Sequence, residues 1–360
     1  MNVTCGLSKN SHDAQGRYYR MKKLLFIGLE YHVKTGSCQF MIDLLADQFD
    51  VTLCRIDHYQ NDPFDALSEA AGSYDALVCW QIMPPRELLD RYFKWNYAAL
   101  FPMYDSASED GNPELWFPCR DFNIICFSSK LCERVSRMGF SAQSIQYFPE
   151  PPPMDGWGDP QAVFFWARQA AVNCRSVEKL LQHTDVKRIH VHKAMDPDEE
   201  FVEPEPGGTM EYTFSTWFDD KREMHQIIND SAFYISPRKQ EGIGMSFLEA
   251  MAAGRCVIAP NDSTMNEYIV HGENGYLYDL ENPVPLHIPD VKAIQKQARS
   301  TVEEGVVRWQ RDRETIISRI MTPASVCRRK LVVSVARRTL TQPLSVAKIL
   351  MSNLVGNRSI

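Results

Sequence analysis

The stretch "AFYISPRKQEGIGMSFLEAMAAGRCVIAP", residues 232–260, predicts a strand, a glycine loop, a helix and a second strand in direct succession. The spacing of Leu248 and Met251 indicates an amphipathic helix, and glycines in the loop let the backbone approach a ligand closely. A helix N-terminus presents unpaired N–H groups and a partial positive charge. The segment from Gly242 to Ser246 is therefore predicted to bind a phosphate group.

Two carboxylates flank this loop. Ser246 and Glu249 have the spacing of a capping box, in which Glu249 would bond to the backbone N–H of the cap and do nothing else. If the helix instead begins near Gly244, Glu249 is available for a ligand, and the sequence leaves both alternatives open. Glu241 precedes the glycines and has no capping role, so its alternative is an exposed loop carboxylate.

Strands and helices alternate along most of the chain. "KKLLFIG", "DVTLCRI" and residues 74–82, 97–104 and 122–128 read as strands, with "SCQFMIDLLADQF" as a helix and "LEYHVKTGS" as a loop. After a proline-rich stretch, residues 147–160, the alternation restarts at "AVFFWA". The predicted fold class is α/β, with two Rossmann-like doubly wound domains that face a cleft.

The pattern divides the chain into five segments. They are a polar N-terminal extension (1–20), an N-terminal Rossmann-like domain (21–150), a C-terminal Rossmann-like domain (151–304), a helical crossover (305–323) and a basic tail (324–360).

Charge is distributed unevenly in this protein of 360 residues. The net charge is −7, which does not favour a nucleic-acid partner. Residues 321–360 nevertheless contain seven Lys or Arg and no Asp or Glu. This tail reads as a solvated helix packed on the body or as a peripheral helix on an anionic membrane face.

Cysteine usage and the N-terminal residues indicate a cytoplasmic setting. The ten cysteines are scattered without a C-x-x-C motif, and residues 1–20 lack the apolar core of a secretory signal. No apolar run approaches the roughly 20 residues that span a bilayer. A peripheral position on the cytoplasmic face of a membrane would depend on the basic tail.

Two sets of residues superficially suggest a metal site. His190 and His192 share one face of a predicted strand, but no third or fourth ligand accompanies them. Asp196 and Asp198 lie in an acidic loop and are interpreted as solvated. No metal is expected.

The segment from Glu241 through "NDSTMNEYIVHGENGYLYD" resembles the donor-site signature of retaining GT-B glycosyltransferases of family 4, whose hallmark is Glu, seven residues, Glu. The resemblance implies transfer of a sugar from a nucleotide diphosphate sugar, with the donor on the C-terminal domain and the acceptor on the N-terminal domain. Glu241 would then contact the donor sugar near the reacting carbon, and Glu249 would bind the ribose. Backbone groups of Gly244, Met245 and Ser246 would meet the phosphates.

The family also carries an Arg and, five residues later, a Lys for the diphosphate. Arg168 occupies the Arg position, with a strand-end salt bridge as the alternative role. Asn173 stands where the Lys is expected, and Arg175 is the candidate for the missing charge. A guanidinium suits a diphosphate because it donates two parallel hydrogen bonds.

Two positions in the N-terminal domain complete the predicted site. Gly36, in the loop after the first strand, would approach the diphosphate, although a plain turn explains it equally well. Asp105 follows a strand at the sheet edge where α/β proteins bind ligands, and is a candidate on the acceptor side. A helix-capping role is its alternative.

The function implied is a retaining, metal-independent hexosyltransferase that needs no cofactor and acts on a glycan acceptor. The basic tail suggests a lipid-linked acceptor in surface polysaccharide or glycoconjugate assembly. A catalytically silent nucleotide-sugar-binding partner subunit is the main alternative, because the expected Lys is absent. A nucleotide-sugar epimerase with the same fold is a further alternative.

Overall fold

The computed structural model describes residues 10–12, 18–57, 63–107, 112–154, 156–216, 218, 220–327 and 330–331. The chain forms two compact units. The first contains the chain up to Ile145 together with the part from Asp312 onward, and the second is Gln146–Arg311.

The first unit is built on a six-stranded parallel sheet with the strand order β4-β3-β5-β6-β7-β8. Its central strands are buried on both faces over much of their length, which explains why they read as apolar runs. A separate antiparallel pair, β1 (Asn10–His12) and β2 (Tyr18–Arg20), precedes it. The sheet strands are β3 (Lys22–Leu29), β4 (Phe49–Ile56), β5 (Gly72–Trp80), β6 (Phe93–Phe101), β7 (Asn123–Cys126) and β8 (Ala142–Ser144).

The helices of this unit connect successive strands. They are α1 (Glu30–Thr35), α2 (Gln39–Ala46), α3 (Ala66–Glu69), α4 (Arg86–Tyr92) and α5 (Ser129–Met138), with 3-10 turns at Tyr104–Ser106 and Pro113–Cys119.

The prediction of a loop after the first strand is wrong, because that segment contains helix α1. Glu30 in its first turn and Lys34 in its last turn complement the helix dipole. Gly36 ends the helix in the left-handed conformation, at φ 76°. The helix is short and buries no residue, so the sequence carries no apolar period that would have indicated it.

The second unit repeats the architecture with the parallel order β11-β10-β9-β12-β13-β14. Its strands are β9 (Asp159–Ala167), β10 (Arg188–Lys193), β11 (Glu211–Ser215), β12 (Ser231–Ile235), β13 (Cys256–Pro260) and β14 (Tyr276–Tyr278). Its helices are α6 (Cys174–Leu181), α7 (Lys221–Asp230) and α8 (Met245–Ala252), with a 3-10 turn at Met265–Glu267. Helix α9 (Val291–Ile320) contains the boundary between the units.

Two parallel, Rossmann-like α/β domains thus confirm the predicted fold class. Among the described residues, no helix is long and apolar enough to cross a membrane.

The first residues of the basic tail pack on the first unit. The N–H of Cys327 donates to the carbonyl oxygen of Gly139 at 2.8 Å, and Leu331 is buried in the core. Residues 332–360, on which the predicted membrane contact depends, lie outside the described residues.

Candidate functional site

The topology of the second unit defines where a ligand is expected. Strand β9 is the first strand in sequence; β10 and β11 lie on one side of it, and β12 to β14 lie on the other. Connections from β9 and β12 therefore leave the sheet in opposite directions and open a crevice at its carboxyl edge. Open α/β sheets bind ligands at such a switch point.

An ion-pair cluster occupies this edge. Arg168 follows β9, and its Nε and Nη2 lie 2.8 and 2.6 Å from Oδ1 of Asp196, which follows β10. Arg238 follows β12, and its Nη2 donates to the same Oδ1 at 2.8 Å while Nε lies 2.8 Å from Oδ2. One carboxylate therefore joins two guanidinium groups from neighbouring loops.

The loop of Glu241 is fixed beside this cluster. Glu241 is 7% exposed, and its Oε2 lies 3.9 Å from Nη1 of Arg238. Its N–H donates to the carbonyl oxygen of Ser263 at 3.1 Å. Thr264 Oγ1 donates to the carbonyl oxygen of Ile243, also at 3.1 Å, so the loop after β13 holds the glycine loop in place.

Helix α8 begins directly after this loop. Gly244 is its N-cap at φ 81°, and the first backbone bond runs from the Leu248 N–H to the Gly244 carbonyl oxygen. In the described part of the chain, the N–H groups of Met245, Ser246 and Phe247 have no hydrogen-bond partner. Three donors are thus available to an anion at the end of a helix.

The start of α8 decides between the two interpretations of Glu249. Because Gly244 is the cap and no side chain caps the helix, the capping box between Ser246 and Glu249 is not formed. Glu249 is exposed on the second turn. Burial raises the pKa of Tyr147 to about 12, and the charge of Glu249 contributes to this rise. Ribose binding by Glu249 stays a prediction.

Asn173 has a structural role that explains its presence in place of the expected Lys. Its Oδ1 accepts a hydrogen bond from the Ser176 N–H at 3.1 Å, and it is the N-cap of α6. Its Nδ2 donates to the carbonyl oxygen of Ala170 at 3.0 Å. A lysine could not accept the first of these bonds.

The structure does not bring Arg175 to the cluster around Arg168. Its side chain is 81% exposed and lies 3.6 Å from Glu205, itself largely exposed. Such surface pairs contribute little to stability. Arg175 remains a predicted donor-binding residue without a contact to the other site residues.

Sequence reasoning missed Arg238 and misread Asp196. The interpretation of Asp196 as solvated is wrong, since its side chain is 13% exposed and pairs with both arginines. Arg238 stands three residues before Glu241, directly after a buried strand. Its position after a strand, at the carboxyl edge of the sheet, is the feature of the sequence from which a ligand-facing cation could have been predicted.

The two predicted site residues of the first unit lie after strands of its own sheet. Gly36 donates its N–H to the carbonyl oxygen of Val33 at 3.2 Å and forms the turn between α1 and α2. Asp105 lies in the 3-10 turn after β6 and is half-buried. Met103 is the N-cap of that turn and Asn112 is the N-cap of the 3-10 turn Pro113–Cys119, so Asp105 caps neither of these two turns.

His190 and His192 are part of a packed hydrogen-bonded network. Both rings approach Oγ of Ser215, through Nε2 of His190 and Nδ1 of His192, each at 2.9 Å. Burial lowers the pKa of His192 to about 4, with smaller contributions from the charges of His190 and Arg168. The described residues contain no group of three His, Cys, Asp or Glu side chains that could hold a metal ion.

Comparison with known proteins identifies the fold as GT-B, the two-domain fold of many glycosyltransferases. Residues 208–287, which include Glu241, Glu249 and helix α8, match the family model described as Glycosyl transferases group 1. No curated protein matches the chain.

Two solved structures illustrate the fold likeness. Trehalose-6-phosphate synthase (OtsA) has a TM-score of 0.57 and 10% identity, with 84% of this chain and 100% of that chain covered. Anabaena Alr3699/HepE in complex with UDP has a TM-score of 0.55 and 13% identity, with 83% and 100% covered. At these identities the likeness concerns the fold, while the matched segment supports a glycosyltransferase.

Proposed function

We propose that this protein is a retaining glycosyltransferase that binds a nucleotide diphosphate sugar on its second unit and transfers the sugar to a glycan acceptor. The observation that carries the proposal is the placement of Arg168, Glu241 and the N-terminus of α8 around one switch point. The match of residues 208–287 to a glycosyltransferase family supports the same activity. Alr3699/HepE, a structure of this fold, was crystallised with UDP.

Each part of this site has a chemical task in the proposed reaction. As the bond from the sugar to the diphosphate breaks, negative charge accumulates on the leaving diphosphate. The Arg168 guanidinium and the N–H groups of Met245 and Ser246 would bind that charge without reorganising, which stabilises the transition state. The Glu241 carboxylate would accept hydrogen bonds from the sugar hydroxyls and orient the reacting carbon.

Binding tests the donor site directly. Isothermal titration with UDP, ADP, GDP, CDP and dTDP should reveal a cognate diphosphate for the parent protein. Arg168→Gln should weaken its binding ten-fold or more, whereas the matched control Arg188→Gln, at an exposed arginine that begins β10 at the opposite edge of the sheet, should not. Absence of binding by the parent, or equal affinity of Arg168→Gln and the parent, would contradict the proposed donor site.

The finer parts of the proposal have their own tests. Retention predicts that NMR of the first product formed shows the anomeric configuration of the donor; an inverted product refutes it. Metal independence predicts unchanged turnover after treatment with EDTA. Activity that is lost with EDTA and restored by a divalent cation would refute metal independence alone.

The acceptor is proposed to be lipid-linked, because residues 321–360 combine seven basic side chains with no acidic one. Binding to vesicles containing anionic lipid should then fall with rising salt and vanish when residues 332–360 are removed. Binding that does not change with this truncation would contradict the role of the tail.

A silent partner subunit is the second candidate function. The absence of the expected Lys favours it, since Asn173 is used to cap α6. Tight diphosphate binding with no turnover of any cognate sugar nucleotide would support this alternative over the enzyme.

A further inference from the structure

We infer that Arg238 is the second diphosphate-binding cation of the donor site and replaces the lysine that is absent at position 173. This inference rests on the proposed function. It concerns a residue that neither the family match nor the sequence resemblance assigns.

The first argument is position. Arg238 follows β12 and Arg168 follows β9, which are the two strands that border the switch point. Both guanidinium groups reach the same carboxylate, with four contacts to Asp196 between 2.6 and 2.8 Å. The two cations are therefore held together at the edge of the sheet where a ligand is expected.

The second argument is charge. Arg168 and Asp196 alone form a neutral pair, which would attract a diphosphate weakly. Arg238 adds a second cation, so that two arginines balance the two carboxylates of the cluster, Asp196 and Glu241. Without Arg238, Arg168, Asp196 and Glu241 would together carry one formal negative charge and would repel the anion that Arg168 is proposed to bind.

The third argument is accessibility combined with fixed geometry. The side chains of Arg168 and Arg238 are 21% and 22% exposed, so neither is enclosed by the protein. The loop of Arg238 is anchored because the Lys239 N–H donates to Oε1 of Gln169 at 3.1 Å, next to Arg168. A preorganised guanidinium loses little entropy on binding and donates bonds in a planar fork that matches phosphate oxygens.

The fourth argument is the link to Glu241. Arg238 Nη1 lies 3.9 Å from Glu241 Oε2, and the two residues are three positions apart in the same loop. A single residue would thus connect the site of the leaving diphosphate to the carboxylate proposed to orient the sugar. A cation at position 173, at the start of α6, would not make this connection to Glu241.

The test compares the cognate nucleoside diphosphate with its monophosphate in calorimetric titrations. Arg238→Gln should weaken binding of the diphosphate ten-fold or more and binding of the monophosphate less than three-fold, because only the diphosphate carries the second phosphate. Arg188→Gln, at an exposed arginine that begins β10 at the opposite edge of the sheet, is the matched control and should change neither affinity. Thermal unfolding curves establish that each variant is folded.

Three results would overturn the inference. Diphosphate affinity within three-fold of the parent would show that Arg238 does not bind the ligand. An equal loss for both nucleotides would show that Arg238 only supports the structure. If Arg238→Gln does not fold, Arg238→Lys, which keeps a charge next to Asp196, is judged by the same criteria, and a loss of at least three-fold confined to the diphosphate is expected.

The outcome also separates this inference from the proposed function. If the parent and Arg238→Gln bind the diphosphate equally while Arg168→Gln does not bind it, the donor site stands and Arg238 is removed from it. If the parent binds none of the five diphosphates, the donor site and this inference both fail.

Discussion

Gly244 and Phe247 are in such close contact that a Cβ on residue 244 would lie 1.9 Å from Cε1 of the Phe247 ring. The ring is fully buried, so it cannot move aside easily. Only glycine fits here, both because of this ring and because φ is 81°. This contact fixes the residue at which α8 begins, and with it the N–H groups that face the proposed phosphate site.

Gly244→Ala should therefore reduce both stability and nucleotide binding. Gly272→Ala is a matched control, since Gly272 has φ 80° but no atom within 4 Å of an added Cβ. The control should cost about 1 kcal/mol of unfolding free energy from backbone strain alone. The Gly244 variant should cost roughly 1–3 kcal/mol more from overpacking. Equal urea midpoints for the two variants would contradict the role assigned to Phe247.

Asn173→Ala should lower stability without affecting the donor site. The variant removes the N-cap of α6 and should cost about 1 kcal/mol of unfolding free energy. Asn173→Ser retains a capping oxygen and should lose less. Calorimetric affinity for the cognate diphosphate should remain within three-fold of the parent for both variants. A ten-fold loss of affinity in either would place residue 173 in the donor site after all.

His192 should make stability depend on pH in a defined window. Its pKa is lowered to about 4 by burial, so between pH 6.5 and 4 the unfolded chain binds a proton that the native protein does not. The contribution of this group to the free energy of unfolding is fully present above pH 6.5. It is lost as the pH decreases toward 4, by at most about 3 kcal/mol. Urea unfolding at several pH values measures how steeply the free energy of unfolding changes with pH.

A comparison of variants separates the contribution of His192 from that of carboxylates that titrate in the same pH range. His192→Gln removes the ionisable ring and should flatten the slope between pH 6.5 and 4. His225→Gln, at an exposed position on α7, is the matched control substitution. Identical slopes for the parent and His192→Gln would show that the histidine is not desolvated in the folded protein.

Arg255 should be the most costly arginine to replace in the second unit. Its side chain is 1% exposed and donates to the carbonyl oxygens of Asn229, Ser231, Gly156 and Ala253. Arg255→Met would leave several buried acceptors without a donor, at a cost of at least about 3 kcal/mol. Arg175→Met, at an exposed position, should change the unfolding free energy by less than about 0.5 kcal/mol. Similar losses in the two variants would contradict the structural role of Arg255.

The sequence was sufficient to predict the fold because the strands are buried on both faces. "KKLLFIG" is apolar after its two lysines and "AVFFWA" is apolar throughout, and such runs alternating with helices are typical of parallel sheets. Helix α1 was missed because it buries no residue and so has no apolar period.

The site was only partly predictable. Resemblance to a known signature made both Glu241 and Arg168 candidates. The start of α8 depends on the ring of Phe247, a contact that local patterns do not encode. The pairing of Arg238 with Asp196 joins residues 42 positions apart, so no local rule could predict it.

Donor turnover measures the central claim most directly. A panel of UDP-, ADP-, GDP-, CDP- and dTDP-sugars is incubated with the parent, Glu241→Gln, Arg168→Gln and the control Arg188→Gln, and nucleoside diphosphate release is followed. We expect the parent and the control to turn over one class of donor. Glu241→Gln and Arg168→Gln should each lose about 100-fold or more in kcat/KM, which corresponds to roughly 3 kcal/mol of transition-state stabilisation. Turnover of the cognate donor by both site variants at the parental rate would contradict the assignment of the site.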